Sequence, residues 1–229
     1  MRLAIRSSRL WTESAVICAK EIKSEFRTRY ALGSMLLFGV TTVTAIGMAT
    51  AQTGVDGRTQ AALYWVVAFF SAMAAMSQVF VKEEETGTAM ALKLAARPDA
   101  VYFGKFAFNL LILVFLQMVI LPLFILFVGL KVFDWTLFFS ALALGTLGMA
   151  GAATIVGAIV AQANAKGALF TALSFPLLLP ILLGAIGATR VALDPSGAAS
   201  AVSEIRLLIA YDVGIITASW MLFEFVWRT

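Results

Sequence analysis

Three adjacent carboxylates, Glu83, Glu84 and Glu85, form the densest run of chemistry-bearing side chains in the sequence. Acid–base catalysis needs carboxyl groups held in environments that push their acidities apart. Three neighbours on one solvated stretch share one environment, so they read as a solvated charge run or as a docking surface for a basic partner. Thr86, Gly87 and Thr88 follow, then Arg97 and Pro98, then Gly104 and Lys105. Gly104-Lys105 is the only Gly-Lys pair in the chain. A phosphate cradle of the G-x-x-x-x-G-K-[ST] type would need glycine where Asp99 stands and a hydroxyl where Phe106 stands. This sequence therefore carries no such cradle, and any ATP that drives it is hydrolysed on another chain. There is no histidine, and Cys18 is the only cysteine. Imidazole-dependent nucleophiles, an intrachain disulfide and a Cys/His metal cluster are all excluded. The usual axial ligands of heme iron are His, Cys, Met with His, or Tyr. With no His, and Cys18 on an apolar stripe, a standard axial site is not expected, and the nine methionines read as packing.

The elements that must hold these residues are set by composition. Of 229 residues, 61% are hydrophobic and 13% charged. Soluble domains have about 45–50% and about 25%, so the chain is expected to be an all-α polytopic membrane protein. A crossing helix needs about 20 apolar residues. Six segments qualify, at 31–51, 62–81, 106–130, 135–161, 168–189 and 207–227. The first is too long, and preceded by too much charge, for a signal peptide. Thirteen of the 17 Lys and Arg fall on one side; the other side holds Arg58, Lys131, Arg190 and Arg206. Positive charge marks the cytoplasmic side, so both termini are expected there. The net charge of +4 reads as this orientation signal and not as a nucleic-acid footprint. Tyr30, Tyr64, Trp65, Trp135 and Trp227 fall at segment ends, where aromatic rings favour the headgroup level. No loop is large enough for a core of its own. The organisation is a cytoplasmic elbow segment at 1–30 and one membrane domain at 31–229, with a cytoplasmic loop at 82–105.

In the elbow segment, Trp11, Ala15, Cys18, Ile22 and Phe26 recur at spacings of three and four, one stripe of an amphipathic helix. Lys20, Lys23 and Arg27 lie on the remaining arc, Glu25 flanks the stripe, and Glu25 and Arg29 stand at pairing distance. Such a helix lies along the headgroups as an anchor, or moves with a partner. In the loop, Thr88 suits an N-cap, 89–96 are good helix formers, and Pro98-Asp99 are expected to stop that short helix. Gly104-Lys105 then opens the third span.

Polar and helix-breaking residues inside the spans are few. Asn109 and Gln117, eight apart, lie near one face of the third span. Asp212 sits inside the sixth, where a carboxylate facing lipid is costly. It is expected to pair with Arg190 or Arg206, or to line a substrate or proton pathway. Glu224 and Arg228 are i,i+4 partners. Pro176 and Pro180, one turn apart in the fifth span, mark a fixed kink or a hinge, and Pro122 a weaker case. Gly145, Gly148, Gly151 and Gly157, with several alanines, give the fourth span a small-residue surface. That surface serves static packing, or an interface that slides or dimerises.

Glu-Glu-x-x-Gly-Thr, a proline about ten residues on, and Gly-Lys opening a span resemble the coupling segment of ABC-2-type exporter permeases. Glu25-Phe26-Arg27-Thr28-Arg29-Tyr30-Ala31-Leu32, the run Ala95 to Lys105, Phe175-Pro176-Leu177-Leu178-Leu179-Pro180, Asp212-Val213 and Trp220-Met221-Leu222-Phe223-Glu224 sharpen this. Together they resemble the heme exporter protein B family, the CcmB-type permeases of cytochrome c maturation, from about Lys20 to Val226. The resemblance implies a non-enzymatic inner-membrane permease subunit, in a homodimer or larger complex. It implies a separate cytoplasmic ABC ATPase, a heme-handling membrane subunit and a heme chaperone as partners. ATP would act on the partner subunit, heme would be the substrate of the complex, and this chain would bind no cofactor itself. An ABC-2 permease for lipid, drug or polysaccharide, or an assembly scaffold without transport, are the alternatives. An intramembrane enzyme fits less well, lacking His and paired intramembrane carboxylates.

Overall fold

The computed structural model of the chain describes residues 2–52, 54–76, 92, 94–161, 166–196 and 200–228. Among these residues all regular structure is helical: α1 (Arg2–Thr28), α2 (Tyr30–Thr50), α3 (Gly57–Met76), α4 (Pro98–Val128), α5 (Trp135–Ala161), α6 (Lys166–Ala192) and α7 (Val202–Arg228). The last six are each long and apolar enough to cross a membrane, in agreement with the six segments read from hydropathy.

α5 is the centre of the bundle. Of its apolar window 78% is buried, against 28% for α2 and 17% for α7. Its small residues let neighbouring backbones approach closely, and it packs on α4, α6 and α7. α2 and α3 pack together on the other side of α4, and α3 reaches across to α6. The outer faces of α2 and α7 expose Leu37, Met48, Val213, Met221 and Phe225, surface suited to lipid.

The structure moves the start of the third span. α4 begins at Pro98, so residues 98–105 are its first two turns and not loop. Proline has no N–H to lose at the first helical position, and its fixed φ suits that place; here it opens a helix instead of only closing the one before. That short upstream helix shows its end, where Ala96 N–H donates to Leu92 O at 3.0 Å. The 31 residues of α4 span about 46 Å at 1.5 Å per residue, against about 30 Å of hydrocarbon. The helix is therefore longer than an upright crossing needs.

One further expectation is corrected, and the reading of α1 as a helix along the headgroups is refined. Tyr64, Trp65 and Trp227 do not form a rim belt. Tyr64 and Trp65 are fully buried and Trp227 nearly so, whereas Tyr30 and Trp135 are exposed. Tyr64 and Trp65 have interior hydrogen-bond partners, which removes their reason to seek the headgroups. In α1, Trp11 and Phe26 of the apolar stripe are 63% and 67% exposed, while Ser14, Ile17, Glu21 and Glu25 are buried. The apolar stripe of a surface helix belongs in the lipid, so the arc carrying the carboxylates turns inward.

Candidate functional site

Two close contacts lock α1 onto α4. A Cβ on Gly104 would lie 2.8 Å from Ile17 Cβ and 2.9 Å from Ser14 O, so only glycine allows this approach. One residue on, fully buried Lys105 donates from Nζ to Glu21 Oε1 at 3.0 Å. Lys20 Nζ reaches the same oxygen at 3.4 Å from the exposed side.

Glu25, one turn further, turns to a different helix. Its Oε1 accepts from Leu32 N–H at 2.9 Å and so satisfies a donor in the first turn of α2. The chain bends between α1 and α2 at Arg29, whose φ of 53° is left-handed. The expected Glu25–Arg29 side-chain pair is replaced by this cap, because the bend takes Arg29 off the α1 helical arc. Cys18 is half-buried on α1. Burial, and then the Glu21 carboxylate, push its thiol up, which suits a packing residue.

The first turns of α4 are also tied to α7. Asp99 Oδ1 accepts from Trp220 Nε1 at 3.0 Å, and its Oδ2 accepts from Arg97 Nη2 at 3.1 Å. Tyr102 OH donates to Ile216 O at 3.2 Å. Arg97, Pro98, Gly104 and Lys105 are thus gathered where α1, α4 and α7 meet. Glu83, Glu84, Glu85, Thr86, Gly87 and Thr88 lie outside the described residues.

Polar residues of the spans pair across α3, α4, α5 and α6. Asn109 Nδ2 donates to Thr154 Oγ1 at 2.8 Å. Gln117 accepts from Tyr64 OH at 2.6 Å and donates to Thr146 Oγ1 at 3.4 Å. Trp65 Nε1 donates to Thr189 Oγ1 at 2.9 Å. The small residues of α5 make room for these neighbours: Gly145 faces the Trp65 ring, Gly148 faces Asp212 and Ile181, and Gly151 faces Ile216. On these faces the small-residue surface serves packing within the chain.

Asp212 departs from expectation. It is 3% exposed, and neither carboxylate oxygen has a hydrogen-bond partner among the described residues. It lies against Gly148 and Ile181, not against an arginine. Arg206 is six positions away, about 120° round the helix at 100° per residue. Arg190 is nine residues beyond Ile181, about 14 Å along α6. Both arginines are exposed.

α6 runs unbroken through Pro176 and Pro180. Tyr211 OH donates to Leu177 O at 2.6 Å, in the turn that Pro180 interrupts. The carbonyl that Pro180 leaves without its helical donor is that of Pro176, so this bond braces the turn without replacing the lost one. Arg228's side chain lies outside the described set, so its expected pairing with Glu224 does too.

Glu21, Asp99, Tyr64 and Trp65 were not picked out as site residues from sequence. The spacing Ser14, Ile17, Glu21, Glu25 was a second stripe on α1, hidden by the stronger apolar one. No curated protein matches the chain. The family described as CcmB protein matches residues 12–225, from the elbow helix to the last turns of α7. The match takes in the Glu21–Lys105 clamp, the α4 start and the α5 seam alike, and this chain belongs to the CcmB family.

Proposed function

We propose that the chain is the membrane permease subunit of an ABC-type complex in cytochrome c maturation. A separate ATPase subunit docks at the elbow end of the bundle, on the acidic loop that precedes α4. Hydrolysis there is coupled to heme handling and to release of a heme-loaded chaperone. Both termini lie in the cytoplasm and the complex sits in the inner membrane, with a further heme-handling subunit beside this one. The reading rests on CcmB membership across nearly the whole chain, which carries a heme-exporter permease role.

The α1–α4 junction supplies a rationale for coupling. A push on the loop acts on Pro98, the first residue of α4. Lys105 and Gly104 hand it to α1, and Glu25 hands it from α1 to α2. Mutating Glu83, Glu84 and Glu85 together to Lys tests the docking face. Loss of the ATPase on purification, with normal membrane insertion of this chain, is the expected result. Unchanged ATPase recovery would remove the loop from the interface.

A further inference from the structure

At the end of the bundle away from α1, a cleft of about 390 Å³ opens between the start of α3 and the end of α6. Arg58 and Arg190 line it from the two helices, with Val191, Leu193 and Pro195 as apolar wall. The two sides are neighbours, since a Cβ on Gly57 would lie 3.4 Å from Leu193 Cβ. Both arginines are exposed, and neither makes a hydrogen bond or salt bridge among the described residues.

The carboxylates nearby have other partners. Asp194 also lines the cleft. Its Oδ1 accepts from Ser196 N–H at 2.9 Å and Ser196 Oγ at 2.8 Å. Those bonds, and after them the Arg190 charge, hold its pKa below the usual carboxylate range. Asp56, next to the α3 start, accepts from Thr59 Oγ1 at 2.6 Å and caps its own helix. Glu204 accepts from Ser203 Oγ at 2.6 Å, and the charge of Arg190 reaches both Asp194 and Glu204 without forming an ion pair with either among the described residues. Two guanidinium forks beside an apolar wall at a membrane-water boundary, neither held in a salt bridge there, suit an oxyanion carried on an apolar body.

We propose that this cleft binds the phosphate or carboxylate group of an anionic amphiphile, through Arg58 and Arg190. A phospholipid headgroup and the propionates of a porphyrin share that chemistry, and only the porphyrin source rests on the heme-handling reading. The test uses the full chain in a maltoside detergent free of phosphate. Dihexanoylphosphatidylglycerol, protoporphyrin IX and protoporphyrin dimethyl ester are titrated separately. One-to-one saturable binding of the phosphatidylglycerol or of the porphyrin diacid is expected, and the diester should fail to bind.

The Arg58→Gln/Arg190→Gln double variant should bind at least about tenfold more weakly, for two lost charge-assisted contacts. Arg206→Gln, an exposed arginine at the same end that does not line the cleft, should bind as the parent does. The lipid alone binding assigns a headgroup site; the diacid alone binding assigns a propionate site. Binding of neither anion, or equal binding by the double variant, overturns the proposal. So does equal binding of diester and diacid without any lipid binding. None of these results bears on ATPase co-purification, which tests the permease reading separately.

Discussion

Lys105 Nζ and Glu21 Oε1 meet at 3.0 Å across 84 positions of chain, with Lys105 fully buried. Two charges withdrawn from water need each other. Removing one partner of a buried pair typically costs about 3–5 kcal/mol, while replacing both by apolar groups is often neutral. Lys105→Met should therefore lower the thermal unfolding temperature and the recovered yield of the chain. Glu21→Leu/Lys105→Met should recover most of both. Equal loss in the single and double variants would mean that α1 is held by shape alone.

Gly148→Ala puts a methyl group against Asp212 Oδ1 and 2.9 Å from Ile181 Cδ1. Overpacking of this kind costs about 1–3 kcal/mol. Asp212→Ala in the same chain removes the obstructing carboxylate and should restore part of the loss. Thermal unfolding of the two variants and the parent reads this directly. A Gly148→Ala chain as stable as the parent would show that the α5–α7 seam is looser than described.

Replacing Pro176 and Pro180 by alanine offers α6 about two further backbone hydrogen bonds. The Tyr211 contact to Leu177 O lies in that region. The double variant should assemble with its ATPase at normal levels and give less mature cytochrome c. Full yield at normal complex levels would remove a hinge from the mechanism, and a parallel fall in both would leave a fixed kink.

Purified alone and mixed with heme, the chain should show no saturable one-to-one Soret shift of a six-coordinate iron. It has no histidine, and Cys18 is its only thiol. A stoichiometric six-coordinate spectrum would point to methionine or tyrosine ligands. Propionate binding in the Arg58–Arg190 cleft leaves this expectation intact, because it needs no bond to iron.

Hydropathy was enough to find the helices, because a bilayer demands long apolar runs and nothing else satisfies their backbones. It was not enough to orient them around one another. Tyr64 and Trp65 carry the composition of a headgroup belt, and only Gln117 and Thr189, far away in sequence, explain why they are interior. Asp212 called for a cation by charge, yet its surroundings depend on how α5, α6 and α7 pack. On α1 the lipid-facing stripe was legible and the protein-facing one was not. In water the apolar stripe marks the core, but beside a membrane it marks the solvent, so Glu21 and Glu25 were on the protein-facing side. Asn109 and Gln117 were legible, since a spacing of eight on a helix keeps two polar groups on one face.

The clamp also imposes an order on biogenesis. Glu21 is made and placed at the membrane surface well before Lys105 exists, since 84 residues and two spans separate them. Until the third span is inserted, α1 is held by its lipid-facing side, where Trp11 and Phe26 are exposed, and by the Glu25 cap on α2. Glu21 lacks its Lys105 partner through that interval. Arrival of Gly104 and Lys105 then closes a loop whose ends are already confined to one surface. The junction nearest the start of α4 is therefore unfinished until the third span is threaded, and a partner that reads that junction meets only chains that have passed this step.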